Sequence, residues 1–328
     1  MKPVPKPLAL LAGLAGLCIA SSASAAIDWS KVPDKEIVLF YPGQANWEFA
    51  LTQAEMPGAM LVKQGKSCRN CHEGLEPDMG NDIVAGKPRT LVYADNSVHP
   101  PIEPTPIAGK PGTVKINAKF AVEGDQLVAR LVLDEGKQPD AHMDPAFATK
   151  VAVMFTPSRV ADVVRAGCFS ACHEDDSTMP HGPAAGAERT MYLGRTRAQL
   201  TRFGGGDQLK PPAELEKLRA EGYFFQIMQA RLNPGKPAQG ATYVLFDKRE
   251  EVANPVGVDA HYAGGVWTVT MSTALNPGHG LIDFAGGRVF TVAFAVHAGH
   301  TARRFHYVSV ERTLAIESGK ADFVAVRQ

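Results

Sequence analysis

The sequence contains two pairs of closely spaced cysteines, and each pair is followed at once by a histidine. The first pair reads CRNCH, residues 68–72, in which two residues separate Cys68 from Cys71 and His72 comes next. This C-x-x-C-H pattern is typical of c-type haem attachment. The two thiols add to the two vinyl groups of a haem, and the adjacent histidine reaches the iron from one face. A disulfide or a zinc pair is the alternative, but zinc needs about four ligands and no second C-x-x-C lies nearby.

The second pair reads CFSACH, residues 168–173, and three residues separate its cysteines. One residue more than in C-x-x-C-H lies between Cys168 and Cys172, so the attachment loop has to bulge. His173 still follows the second cysteine directly. We therefore interpret this stretch as a second covalent haem site, and a disulfide loop is the alternative.

The amino-terminal residues predict export from the cytoplasm. A short basic start leads into the apolar run LALLAGLAGLCIA, which is too short to span a bilayer, and then into the small residues SSASAA. This pattern is typical of a secretory signal peptide over residues 1–25, with cleavage before Ala26 and a periplasmic mature protein. An uncleaved anchor and a lipoprotein attached at Cys18 are the alternatives.

The remaining composition limits the partners. Removal of residues 1–25 takes away two lysines and no acidic residue, which leaves 32 basic and 34 acidic side chains and a net charge of about −2. A nucleic-acid partner would require a basic surface. No later stretch is apolar for long enough to cross a membrane, so we expect a mature chain that does not span one.

The periodicity of the chain changes along its length. Residues 26–96 predict a small loop-rich and helical segment around the first motif, and residues 97–112, with five prolines, predict an extended linker. From 113 onward, at least seven stretches predict strands: apolar and polar residues alternate on both sides of a Gly124-Asp125 turn, and most of the later stretches are rich in Val, Phe, Tyr and Thr. We expect a mainly β protein whose residues 113–328 form an antiparallel β-sandwich.

The second half of the chain also resembles a known family. It is similar to the haem-binding domain related to the gamma subunit of ethylbenzene dehydrogenase, in its c-type cytochrome branch. The resemblance covers roughly residues 88–328, and LFYPGQANWEF to NDIVAG resembles the amino-terminal haem segment of the same cytochromes. The matching stretches are VAVMF, GCFSACH, STMP, ARLNPG, VWTVTMS, FTVAFAVHAGHTARRFHYVS and ADFVAVR. This resemblance implies a β-sandwich that holds a haem and passes electrons.

The resemblance also implies ligands for the second iron. The gamma subunits hold a b-type haem with a Met and a Lys, whereas here the Cys168–His173 loop occupies the place of the Met and His306 that of the Lys. His173 and His306 would then bind the iron from opposite faces. If RFHYVSV is a strand, His306 shares a face with Val308. Three weaker candidates remain open, namely His297, His300 and Met179.

The first haem needs a sixth ligand as well. His72 is the proximal ligand, and two methionines are candidates on the other face. Met56 precedes a Pro57-Gly58 turn, near a point at which related cytochromes carry a histidine, and Met79 follows the motif. Either methionine is also explained as an ordinary core residue.

Together these features predict a periplasmic cytochrome with two covalently attached haem c groups. We expect it to transfer electrons between redox proteins, such as a membrane quinol-oxidising cytochrome or a molybdenum enzyme, without catalytic side chains of its own. Two alternatives stay open at this stage. One is a haem enzyme with an open iron site, of the peroxidase or nitrogen-oxide type, and the other is an electron-transfer subunit of a molybdenum oxidoreductase complex.

Overall fold

The computed structural model of the chain describes most of the predicted mature protein. It covers residues 27–90, 92–135, 146–157, 160–175, 179, 191–285, 288–298 and 306–328. The predicted signal peptide and His300 lie outside the described residues. None of the helices in these ranges has the length and the apolar surface that crossing a bilayer requires.

Strands dominate the described structure, and the helices are short. The strands are β1 Lys35–Phe40, β2 Thr113–Glu123, β3 Gln126–Asp134, β4 Thr149–Pro157, β5 Phe225–Leu232, β6 Gln239–Leu245, β7 Arg249–Val252, β8 Gly257–Ala263, β9 Val266–Ala274, β10 Val289–Ala298, β11 His306–Val308, β12 Arg312–Ile316 and β13 Phe323–Arg327. The helices are α1 Trp47–Leu51, α2 Ala59–Lys63, α3 Arg69–His72, α4 Glu76–Val84, α5 Ala161–Ala166 and α6 Pro212–Ala220.

The strands form one continuous, largely antiparallel sheet that folds over itself. Its order is β7-β6-β5-β4-β10-β11-β1-β2-β3-β9-β8, and β12 and β13 connect β10 to β2 by a second route. The two ends of this path face each other, because β5 contacts β9 and β6 contacts β8. The predicted mainly β architecture, with antiparallel strands packed face to face, is therefore confirmed.

The hairpin expected around Gly124 is present. β2 and β3 pair in register from Lys115 opposite Asp134 to Glu123 opposite Gln126, and Gly124 adopts a positive φ of 57° in the turn. A strand from the predicted amino-terminal segment joins the same sheet, since β1 pairs with both β2 and β11. The domain boundaries given above stay a prediction.

Three neighbouring strands have apolar side chains on both of their faces. Leu39 of β1, Phe294 of β10 and Tyr307 of β11 point into the main core, where Phe294 lies 6.3 Å from the ring of Phe120. Successive side chains in a strand point to opposite faces. Phe40 and Val308 therefore lie on the other face of these strands, and together with Val310, two residues beyond β11, they form a second cluster, which we call the outer cluster.

Candidate haem sites

The first cysteine motif lies on α3, a helix of four residues for which Cys68 is the N-cap. Cys68 and Cys71 are three residues apart, which brings their side chains to one side of the helix. Cys68 is partly buried, Cys71 is exposed, and neither is in a disulfide. The motif thus holds two thiols side by side, as attachment of a haem through two vinyl groups requires.

His72 ends the same helix. Its ring is partly buried, and its Nδ1 atom is buried with no hydrogen-bond partner among the described residues. Burial lowers the pKa of His72, and the nearby Glu76 carboxylate only partly opposes this effect. The imidazole is therefore neutral at pH 7, which is the form that ligates metal ions.

The second motif begins where α5 ends. Gly167 has a positive φ of 52°, which lets the chain turn from α5 into a 3-10 helix over Gly167–Ala171. Cys168 lies in this helix, whereas Cys172 follows it with an extended backbone. The Cys172 N–H donates to the carbonyl of Phe169 over 3.0 Å. The additional residue of this motif is thus accommodated by a turn of 3-10 helix, and neither cysteine is in a disulfide.

The two ring nitrogens of His173 differ, because Nδ1 has a hydrogen-bond partner and Nε2 has none among the described residues. The side chain is 1% exposed, its Nδ1 is hydrogen-bonded to Oε1 of Glu48, and its ring stacks on Tyr192 at 4.1 Å. Its Nε2 atom is buried with no hydrogen-bond partner among the described residues. Leaving a buried polar atom unsatisfied costs about 1–3 kcal/mol. A ligand bond to iron would remove this cost, so the site fits a haem.

The start of α1 is hydrogen-bonded to the end of the second motif. We call the six residues involved the α1 clamp: Asn46, Trp47, Glu48, Cys172, His173 and Glu174. The Trp47 N–H donates to the Cys172 carbonyl over 2.5 Å, and the Glu174 N–H donates to Oε2 of Glu48 over 3.1 Å. The Asn46 amide also donates to Oε2 of Glu174. Residues of the amino-terminal segment therefore build part of the second site.

The two motifs are in contact with each other. The Cys68 N–H donates to the carbonyl of Arg165 over 2.8 Å, only three residues before Cys168. Cys68, Cys168 and Phe169 all pack against the outer cluster. The structure thus brings together two cysteine motifs that are about one hundred residues apart in the sequence.

Carboxylates from the end of the chain hold the first motif on the sheet. Glu311 accepts a hydrogen bond from the Arg69 N–H over 3.1 Å, and Asp322 forms an ion pair with the Arg69 guanidinium at 2.6 Å. Burial raises the pKa of the Cys68 thiol to about 12, and the charges of Glu311 and Cys71 add to this shift. Burial likewise raises the pKa of Cys168 to about 12.

Both methionine candidates lie near the first motif. Met56 packs against a small cluster that includes Trp47 and Val62, and Cys68 contacts the same cluster. Met79, in α4, packs against the outer cluster together with Cys68. The structure therefore keeps both methionines as candidates for the sixth ligand of the first iron.

The histidine candidates of the second iron lie on adjacent strands. His306 of β11 is paired with His297 of β10, and their rings stack at 5.2 Å. By alternation along β11, His306 lies on the same face as Val308 of the outer cluster. The predicted face of His306 is thus the face on which the cysteine motifs pack.

Met179, the methionine among the weaker candidates for the second iron, is buried, with 4% of its surface exposed.

A metal ion bound by protein groups alone has no obvious place in the described structure. Its residues contain no cluster of three or more His, Cys, Asp or Glu side chains. A haem iron needs only one or two protein ligands, because the porphyrin supplies the others. The isolated histidines of the two motifs are consistent with that requirement.

Reasoning from the sequence missed Glu48, Tyr192 and Glu311. Glu48 carried a weak signal, since it is a single acidic residue within the apolar stretch WEFAL. A charged residue is rarely fully buried unless it is paired. Tyr192 and Glu311 carried no local signal that separates them from other tyrosines and glutamates.

Comparison with known proteins points in the same direction as the two motifs. The chain is 28% identical over 331 residues to a protein named cytochrome c-552 from Stutzerimonas stutzeri, which covers 97% of this chain and 99% of that protein. It is 27% identical over 305 residues to a protein named cytochrome c-551 from Rhodocyclus tenuis, with coverage of 92% and 99%. No family model matches the chain.

Solved structures are similar only to a small degree. A protein of Bacteroides uniformis described as carbohydrate-binding has a TM-score of 0.32 at 7% identity, over 62% of this chain and 72% of that one. A family 9 carbohydrate-binding module of Caldicellulosiruptor kristjanssonii in complex with glucose has a TM-score of 0.26 at 8% identity, over 60% and 66%. The sequence of this chain, by contrast, is similar over nearly its whole length to two proteins named as cytochromes c.

Proposed function

We propose that this protein is a periplasmic dihaem c-type cytochrome that transfers electrons between redox partners. The observation that carries the proposal is the contact between the two attachment motifs, in which the Cys68 N–H donates to Arg165 beside Cys168. Two haems attached there would lie close together, as an electron relay requires. The similarity to two proteins named as cytochromes c supports the same function.

Each residue of the two motifs then has a defined task. The thiols of the four cysteines hold the haems, and His72 and His173 are the proximal ligands. Met56 or Met79 is the sixth ligand at the first site, and His306 is the sixth ligand at the second. When bound, haem supplies one-electron chemistry, so the protein needs no catalytic side chain.

Compartment and partners follow from the sequence pattern. The signal peptide predicted over residues 1–25 would direct the chain to the periplasm. The partners are redox proteins, and the resemblance to the gamma-subunit family favours a membrane quinol-oxidising cytochrome or a molybdenum enzyme. Purification of the protein with a large catalytic partner would support the second of these.

The number of haems is tested first. A pyridine haemochrome assay and intact mass of the exported protein should give two haems per chain. The double variant Cys168→Ala/Cys172→Ala should lose one of them and keep the other, and Cys68→Ala/Cys71→Ala should do the reverse. A wild-type protein with one haem per chain contradicts the proposal.

The state of the two irons is tested next. Low-temperature EPR and near-infrared magnetic circular dichroism of the oxidised protein should show two low-spin irons. Met56→Leu and Met79→Leu, made singly, identify a methionine ligand by loss of its charge-transfer band, and His306→Ala tests the second site. A high-spin iron in the intact protein would instead favour an enzyme with an open site.

A further inference from the structure

One buried carboxylate is bonded to His173, the last residue of the second motif, and to the residue after it, Glu174. Glu48 is 6% exposed and comes from α1, in the amino-terminal segment. Its Oε1 atom is hydrogen-bonded to Nδ1 of His173, and its Oε2 atom accepts the Glu174 N–H over 3.1 Å. One carboxylate oxygen thus fixes the His173 ring, and the other fixes the backbone of the next residue.

The partner of Nδ1 decides which ring nitrogen carries the proton. An ionised carboxylate only accepts hydrogen bonds, so Nδ1 carries the proton and Nε2 keeps its lone pair. That Nε2 atom is buried without a hydrogen-bond partner among the described residues. One nitrogen is therefore held in place while the other has a free lone pair, which is the arrangement of a ligating histidine with a carboxylate behind it.

We propose that Glu48 is a positioning residue for the second haem, which orients the His173 ring and lowers the reduction potential of that haem. The inference rests on the proposed function, because it requires a haem at the second motif. A carboxylate bonded to the far nitrogen raises the basicity of a ligating histidine, and a more basic ligand stabilises ferric iron. The segment that carries the first motif thereby also sets the potential of the second haem.

The clamp itself contains a matched control for the charge of Glu48. Glu174 is the next residue after His173, and its side chain is bonded to Asn46 rather than to the ring. Both glutamates line the same cleft of about 230 Å³, together with Arg89 and Arg202. Replacing either glutamate by glutamine removes one negative charge from the same surroundings, but only the change at Glu48 alters the bond to the ring.

The test is a redox titration of the full-length protein with both haems. We expect Glu48→Gln to raise the midpoint potential of one haem, to change the EPR g-values of that haem, and to leave the other haem unchanged. Glu174→Gln should shift the same potential by less and should leave the g-values as they are. The inference is wrong if the two variants shift the potential equally, or if Glu48→Gln shifts both haems alike.

Haem content separates this inference from the proposed function. One haem per chain in the wild-type protein defeats the proposed function, whereas two haems with no effect of Glu48→Gln defeat only the role of Glu48. If Glu48→Gln does not retain the second haem, proton NMR of the oxidised wild-type protein decides. A hyperfine-shifted ring N–H that exchanges slowly in D₂O is expected, and its absence overturns the inference.

Discussion

Tyr192 covers one face of the His173 ring and is itself fixed by its hydroxyl group. The hydroxyl donates to Asp175, at 2.8 Å from the nearer carboxylate oxygen, and accepts the Gly205 N–H over 2.5 Å. Burial and the Asp175 carboxylate raise the pKa of Tyr192 above its usual range, so the hydroxyl stays protonated and able to donate. The orientation of His173 is thus set from two directions, by Glu48 at its edge and by Tyr192 at its face.

Tyr192→Phe tests this support. The ring can still stack on His173, but the hydrogen bonds to Asp175 and Gly205 are lost, which should lower the free energy of unfolding by about 1–3 kcal/mol. Urea unfolding measures the change. Tyr262→Phe is the control, because Tyr262 is partly exposed on β8 and its ring contacts Trp267 in a tilted arrangement. This substitution should change stability by less than about 0.5 kcal/mol. Equal effects of the two substitutions would contradict the argument.

The sequence predicts the candidate attachment residues but not the residues that hold them in place. Cys68, Cys71 and His72 are recognisable because haem attachment needs them at fixed spacing along the chain. Glu48 and Tyr192 act on His173 from 125 and 19 residues away. Their positions depend on how the chain folds back on itself, and local spacing does not contain that information.

The stability of α3 depends on contacts with the rest of the chain, because the helix is very short. Isolated helices shorter than about 12 residues are marginal in water, and α3 has four residues. Its Arg69 is held by Glu311 at the backbone and by Asp322 at the side chain, and Asp322 also pairs with Lys35 at 2.7 Å. Residues that immediately precede β12 and β13 thus anchor the helix that carries the first motif.

Asp322→Asn should loosen this anchor in a pH-dependent way. Burial opposes ionisation of Asp322, but hydrogen bonds from Lys35, Arg69 and Thr313 outweigh it and hold the pKa of that carboxyl well below its usual range. The stabilisation is therefore fully present above the unfolded pKa of about 3.9 and is lost as the pH falls below it. We expect a loss of about 2 kcal/mol at pH 7, measured by denaturant unfolding.

The difference between wild type and Asp322→Asn should shrink as the pH is lowered from 5 to 2. Asp259→Asn on β8 removes an exposed carboxylate and serves as the control, with no such dependence expected. A wild-type advantage that stays constant down to pH 2 would show that the Asp322 charge is not what holds α3.

Glu311 should have the opposite dependence on pH. Burial raises the pKa of Glu311, and hydrogen bonds from Ser67 and the Arg69 N–H offset this only in part. Its contribution to stability is then fully present below the ordinary glutamate pKa of about 4.3 and is lost as the pH rises through the folded-state pKa. Glu311→Gln keeps an acceptor for Arg69 without the charge. In denaturant titrations, the free energy of unfolding of the variant should rise relative to that of the wild type as the pH rises from 4 to 8. A variant that instead loses stability relative to the wild type over this pH range would contradict the argument.

In the molecule as a whole, both sites share contacts with one sheet. β1 pairs with β2 and β11, Cys68 and Cys168 pack on the same outer cluster, and the α1 clamp joins residues 46–48 to residues 172–174. Because the amino-terminal segment shares these contacts with the rest of the sheet, we expect the two to unfold together.

We therefore expect a single cooperative unfolding transition. The Soret absorbance, which reports on the haem sites, and the far-ultraviolet circular dichroism, which reports on the sheet, should change at the same denaturant concentration. Residues 26–96 and 113–328 would behave as separate units if the Soret transition came clearly before the loss of the sheet.

The presence of individual strands is easier to predict from the sequence than the partner with which each strand pairs. Alternation of apolar and polar residues on both sides of Gly124 predicts β2 and β3, and a high content of Val, Phe and Thr predicts β9 and β10. The pairing of β1 with β11 joins residues about 270 positions apart, Phe40 and Val308. No local pattern specifies such a partner, since many apolar strands have the same alternation.

The hydrogen bond from Cys68 to Arg165 has a consequence for how the protein is made. A chain emerges from synthesis amino end first, so the first motif exists before its partner residue does, and this hydrogen bond cannot form until Arg165 has been made. Once the chain has closed, burial keeps the Cys68 and Cys168 thiols protonated, while the thiolate is the reactive form. If these cysteines attach haem as proposed, the folded apoprotein should be a poor substrate for attachment, and haem would have to be attached before the chain closes.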